Sequence, residues 1–143
     1  MPMKRNTAPI SKHLPVAFAL AMFSGAALAG PMEDVALANQ MMAMLNGGEL
    51  GKAEQALSGF SDPSMKSIWA ANLAGGYLQR GDLDATERQM QHFADPSTVQ
   101  IWTANLVNAS LNAKDCGRAQ RLVERVTDPN LGNLLRMNLR QRC

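Results

Sequence analysis

The dipeptide Asp-Pro occurs as Asp62-Pro63, Asp95-Pro96 and Asp128-Pro129, at a constant step of 33 residues. Other residues keep the same register. Ile68-Trp69 returns as Ile101-Trp102 and, more loosely, as Leu134-Leu135. Asn72-Leu73 returns as Asn105-Leu106 and Asn138-Leu139, and one step back lies Asn39. Leu45, Leu78 and Leu111 form a further set, as do Gly48-Glu49-Leu50, Gly81-Asp82-Leu83 and Lys114-Asp115-Cys116, and Phe60, Phe93 and Val126. So many coincidences in one register mark an internal repeat. A unit of this length buries its apolar face only by stacking on its neighbours.

Each unit reads as two helices. Asp before Pro is a helix start: the carboxylate caps free N–H groups, and Pro is tolerated at the first helical position. Beyond it, Met65, Ile68, Trp69, Asn72, Leu73 and Gly76 share one face at helical spacing. Gly81-Asp82 interrupts the pattern, and a second helix carries Leu83, Thr86, Met90 and Phe93. The spacing predicts first-type helices over 33–46, 64–79, 97–112 and 130–142, and second-type helices over 50–59, 83–93 and 117–126. No stretch alternates as a strand does. The expected fold is all-α, a short solenoid of about three and a half 33-residue helix-turn-helix repeats. Its last helix lacks a second-type partner, so Arg136, Arg140 and Arg142 should give a capping helix a polar outer face.

Residues 1–29 read differently. Lys4, Arg5 and Lys12 precede an uncharged apolar run from Leu14 to Ala29, which ends in Ala27-Leu28-Ala29. That is the layout of a cleavable signal peptide, with cleavage expected after Ala29. The run is shorter than the ~20 residues of a membrane span, so stable membrane insertion after cleavage is not expected. Domain 30–143 then holds 114 residues, enough for one core. Export places the chain in an oxidising periplasmic or extracellular setting, where Cys116 and Cys143 can pair in only one way within the chain. Antiparallel packing of the last two helices would bring them together.

The pattern Leu73-Ala74-x-x-Tyr77, followed by Gly81-Asp82 at the turn and a small residue in the second helix (Ala53, Thr86, Ala119), resembles the tetratricopeptide repeat family. The related Sel1-type repeats are similar too. The likeness spans roughly residues 33–142, with a period of 33 where the family has 34. The third unit keeps it as Leu106-Val107-x-x-Ser110. The resemblance implies a protein-interaction module in which first-type helices line a peptide groove.

The column Asn39, Asn72, Asn105 and Asn138 bears on that groove. Asn is a mediocre helix former, so its return in every first-type helix needs a reason. Its amide donates and accepts. With helices about 8–10 Å apart and an extended chain rising about 3.3 Å per residue, one Asn would meet a peptide main chain about every third residue. Such a column is similar to the inner-groove asparagines of some members of the family. The competing reading is that the amides tie one repeat to the next. Ala38, Ala71 and Ala104 stand before the asparagines, so the basic carboxylate clamp found in other members is not expected. Trp69 and Trp102 share a stripe with Ile68 and Ile101, which predicts core packing for the tryptophans rather than an aromatic platform for a ligand.

Charge is uneven: residues 114–143 carry net +4 and residues 30–113 net −5. Arg118, Arg121 and Arg125 fall on one helical face, a candidate patch for an acidic partner, and the opposite ends offer a route to head-to-tail homo-oligomers. Nucleic acid is not an expected partner class, because no basic patch interleaved with aromatics exists. His92 sits at a helix C-terminus, where the helix dipole accounts for it. No catalytic triad, metal-ligand motif or phosphate loop occurs, so neither an enzyme, a metal nor a cofactor is expected. Met41, Met42 and Met44 lie close together without His or Cys, which leaves a small-molecule or metal binder as a weaker alternative. The leading expectation is an exported adaptor, chaperone or assembly factor that binds a protein or extended peptide. A self-associating envelope component is the other alternative.

Overall fold

The computed structural model describes residues 30–143; the expected signal peptide, 1–29, and its cleavage site lie outside the described residues. Seven helices follow: α1 (Pro31–Asn46), α2 (Leu50–Ala56), α3 (Pro63–Gln79), α4 (Leu83–Met90), α5 (Pro96–Asn112), α6 (Cys116–Val123) and α7 (Pro129–Arg142). No strand occurs among the described residues. Helices pack on their chain neighbours, and α1 on α3 and α5 on α7 as well, which is the stacking of an all-α helical repeat.

The helix starts follow from the caps. Asp62 accepts from the Ser64 N–H, Asp95 from Ser97 and Thr98, and Asp128 from Leu131, each with Pro at the next position. Asp82 and Asp115 do the same for α4 and α6 through the N–H groups of Ala85 and Arg118. In α1 the cap is Gly30, and Glu33 reaches back to its N–H at 3.0 Å. Each cap satisfies donors that would otherwise be orphaned.

The α-helical parts of the second-type helices end about three residues earlier than the spacing predicts, and in the first repeat a 3-10 turn, Leu57–Gly59, completes the span. Their last turn is replaced by tighter bonds, from Phe60 N–H to Leu57, Phe93 N–H to Met90 and Val126 N–H to Val123. These turns bring Phe60, Phe93 and Val126 against the core. Between the helices of each hairpin one residue adopts positive φ: Gly48 at 72°, Gly81 at 75° and Lys114 at 61°.

The core has two parts. Met41, Ala53, Leu57, Leu73 and Tyr77 centre the first, with Trp69 packed against it. Leu106, Val107, Leu111, Leu122 and Leu135 centre the second. Ala53, Thr86 and Ala119, the small sites of the second helices, are fully buried. Burying each leucine contributes roughly 1.5–3 kcal/mol. The buried hydroxyls of Thr103 and Ser110 bond the carbonyls of Val99 and Leu106 one turn back, so they stay satisfied in an apolar setting.

α7 closes the pile. Leu135 is buried on its inner side. Arg136 and Arg140 occupy the register positions at which earlier repeats bury Ala70 and Thr103, and Ala74 and Val107. Charge there ends the stack, as a terminal unit requires. Cys116, at the start of α6, is disulfide-bonded to Cys143, just beyond α7, with Cα atoms 6.0 Å apart. Among the described residues no helix is long and apolar enough to cross a membrane.

Candidate functional site

Asn39, Asn72 and Asn105 are exposed, and Asn138 in the capping helix is half-buried. One helical turn earlier, on the same faces, stand Val35, Ile68, Ile101 and Leu134, and these are 59%, 55%, 61% and 50% exposed. The stripe that Trp69 and Trp102 were expected to share with Ile68 and Ile101 is thus split, the isoleucines being exposed. Trp69 packs inward, and Trp102 meets Phe93 with ring centroids 5.9 Å apart. The isoleucines fall on the other side of the helix. Gly75 of α3 lies against the Trp102 ring, which brings α5 close to α3.

The asparagines do not tie the repeats together: no side-chain hydrogen bond among the described residues uses these four amides. That task falls to a different column, one turn nearer each helix start. Asp34 accepts from the N–H groups of Ser61 and Asp62 and from the Ser61 hydroxyl, at 2.9–3.0 Å. Ser67 accepts from Ala94 N–H at 3.0 Å, and Gln100 from Thr127 N–H at 3.1 Å. Each member is 33 residues from the next, as is each donor. Residue identity hides this column, because Asp, Ser and Gln share only an acceptor oxygen. Asp34 is buried, at 3% exposure. The Ser61 N–H holds its carboxyl below the usual range, aided by Asp62 N–H and the Ser61 hydroxyl and opposed by burial.

A groove of about 320 Å³ runs between α1 and α3, lined by Pro31, Asp34, Val35, Ser61, Asp62 and Met65. It opens beside the Val35–Asn39 pair. The two central helices that carry the asparagines are poor in charge: α5 has no charged residue in 17, and α3 has only Lys66 in 17.

Arg118 and Arg121 of α6 and Arg125 just beyond it come together as the spacing predicts, but carboxylates of the preceding hairpin meet them. Arg118, 13% exposed, pairs with Asp84, Glu87 and Asp115. Arg121 and Arg125 reach Glu87 at 3.5 and 2.9 Å and keep about half their surface in water. The same relation appears one repeat earlier, where Glu54 binds Arg88 at 2.6 Å and also accepts from Tyr77 at 2.6 Å. The Arg88 guanidinium holds the Glu54 carboxyl down to about 2, with Tyr77 adding to it against the cost of burial. Tyr77 is pushed up to about 12 by burial and by its bond to Glu54. These pairs form a ladder along the second-type helices. Beside it lies a cleft of about 450 Å³ with Met90, Val99 and Thr103 on its walls.

Met41 is buried in the core while Met42 is 53% exposed, so the methionines of α1 do not converge on one point. Among the described residues no group of three or more His, Cys, Asp or Glu is placed to hold a metal ion. His92 is half-buried, and burial, with Lys66 nearby, holds its imidazole below the usual range and hence neutral at pH 7.

No protein-family model, no curated protein and no solved structure matches the chain significantly.

Proposed function

We propose that this is an exported, non-enzymatic helical-repeat module, akin to tetratricopeptide-repeat proteins, that binds a protein partner through an extended segment laid across the first-type helices. The observation that carries the reading is the exposed column Asn39, Asn72, Asn105, which makes no side-chain hydrogen bond among the described residues. An amide kept at every repeat, in a helix position that favours other residues, calls for a use outside the fold. The aliphatic row beside it supplies apolar contact of the kind found at interface centres.

Export rests on the layout of residues 1–29 and accords with the disulfide. A periplasmic role in envelope assembly, secretion or chaperoning of exported partners follows from that compartment and from the repeat architecture. The test is affinity capture from periplasmic extract with the wild-type protein beside an Asn72→Ala/Asn105→Ala double variant. Retention of a specific partner by the wild type, with its loss in a folded double variant, supports the reading. Equal retention by both removes the asparagine face from it.

One observation favours self-association as a second reading. Arg136, Arg140 and Arg142 leave the C-terminal end basic, whereas residues 30–113 are acidic. Salt-dependent oligomers in a sizing experiment would support that reading.

A further inference from the structure

Four helices carry the same pair on one face: Val35 with Asn39, Ile68 with Asn72, Ile101 with Asn105 and Leu134 with Asn138. The aliphatic members are all at least half exposed. The face therefore presents a row of apolar groups and, one turn along each helix, a row of amides. The step along either row is the distance between packed helices, about 8–10 Å. α1 and α3 pack directly, as do α5 and α7, while Trp102 against Gly75 joins α3 to α5.

Two properties of an occupant follow. The first is neutrality. α3 and α5 carry Lys66 as their one charged group. In α1, Glu33 and Asp34 are bonded to the N–H groups of Gly30 and Ser61. In α7, Arg136 and Arg140 stand two residues from Leu134 and Asn138, and so on the opposite side of the helix, while Arg142 bonds Asn112. The ladder of ion pairs lies along α2, α4 and α6. A charge pressed onto this face over α3 and α5 loses water and gains no counter-charge. The second is period. A β-strand returns a side chain to the same side every second residue, about 6.6–6.8 Å, and falls out of step with the helices. A polyproline-II chain has three residues per turn and a rise of about 3.1 Å, so it returns every 9 Å or so, in step with them. Its main-chain groups make no internal hydrogen bonds and are free to meet amides. The conformation is also largely preformed, which reduces the entropy lost on binding.

We infer that the occupant is an uncharged polyproline-II segment of a partner protein with an apolar side chain at every third position. Those side chains seat on Val35, Ile68, Ile101 and Leu134, and the main chain bonds Asn39, Asn72 and Asn105. The inference rests on the binding-face reading above and adds the chemistry of the partner.

Labelled peptides of about twelve residues, or four turns, test it by fluorescence anisotropy against the protein exported with its own N-terminal segment. One peptide has Leu at every third position in a Pro/Gln background. A second has as many Leu at every second position, without Pro. A third keeps the three-residue spacing but carries Asp or Lys between. The first should bind about tenfold or more tightly than the others, the worth of one well-buried side chain, with little effect of salt. Ile68→Ser/Ile101→Ser should weaken it at least as much without lowering the melting temperature. Equal or tighter binding of the second or third peptide overturns the inference. If the second binds and Asn72→Ala/Asn105→Ala abolishes that binding, the face is a peptide site for a strand, and only the inference falls. If no peptide binds, the inference and the binding-face reading fall together.

Discussion

The N–H of Ser61 donates to Asp34 Oδ1 at 2.9 Å, one of three bonds by which Asp34 holds the start of the second repeat to the first. Ser61 stands just before the Asp62 cap of α3, so Asp34 fixes the residue from which that helix is launched. Ser67 and Gln100 hold Ala94 and Thr127 in the same way before α5 and α7. Asp34→Ala should lower the denaturation midpoint, with Asp34→Asn falling between it and wild type because one acceptor oxygen survives. Gln100→Ala, which removes one neutral bond, should cost about 0.5–1.5 kcal/mol. Chemical denaturation of the three variants checks the order.

The Glu54 carboxyl predicts an acid limb of stability. Its folded value is about 2 against an ordinary 4.5. The contribution is therefore fully present above pH 4.5 and is lost as the pH falls from there toward 2. Because Arg88 remains half in water, its net worth is roughly 1 kcal/mol. Glu54→Gln should flatten that limb in urea denaturation run at a series of pH values. Tyr77→Phe should leave a smaller slope than wild type.

Lys114 holds positive φ where the two preceding repeats use Gly48 and Gly81. A side chain in the left-handed region costs roughly 1–2 kcal/mol, partly offset by the greater freedom of an unfolded glycine. Lys114→Gly should thus stabilise by about 0.5–1 kcal/mol, and Gly81→Ala should destabilise by a similar amount. Thermal melts distinguish the signs.

The Cys116–Cys143 bond spans a separation of 27 residues and ties α7 to the start of α6. Chain-entropy reasoning gives a contribution of roughly 3–4 kcal/mol. Reduction, or Cys116→Ser/Cys143→Ser, should lower the melting temperature. Amide exchange should then rise first in residues 129–143, the end of the stack with neighbours on one side only.

The architecture was legible because its signals are local and repeated. Asp-Pro starts, a turn before each second helix and an apolar period along each first helix leave little choice of fold. The cap pair Cys116 and Cys143 followed from helix direction. Other features depend on orientation, which residue type does not carry. Ile68 and Ile101 look like core residues until the Trp side of the helix turns inward. On a helix with almost no charge, such as α3, the apolar pattern does not single out one face. The tie column at 34, 67 and 100 has three residue types, so no identity marks it. Arg118, Arg121 and Arg125 were visible as a row, but the carboxylates of Asp84 and Glu87 that meet them lie one repeat back.

The claim that the asparagine column serves something other than the fold is tested most directly by the melting temperature of Asn72→Ala/Asn105→Ala. Both side chains are exposed and unbonded among the described residues, and alanine is the better helix former by about 0.5 kcal/mol per site. The double variant should melt at or a few degrees above wild type. A melting temperature several degrees below wild type would contradict the account and make the asparagines part of the fold.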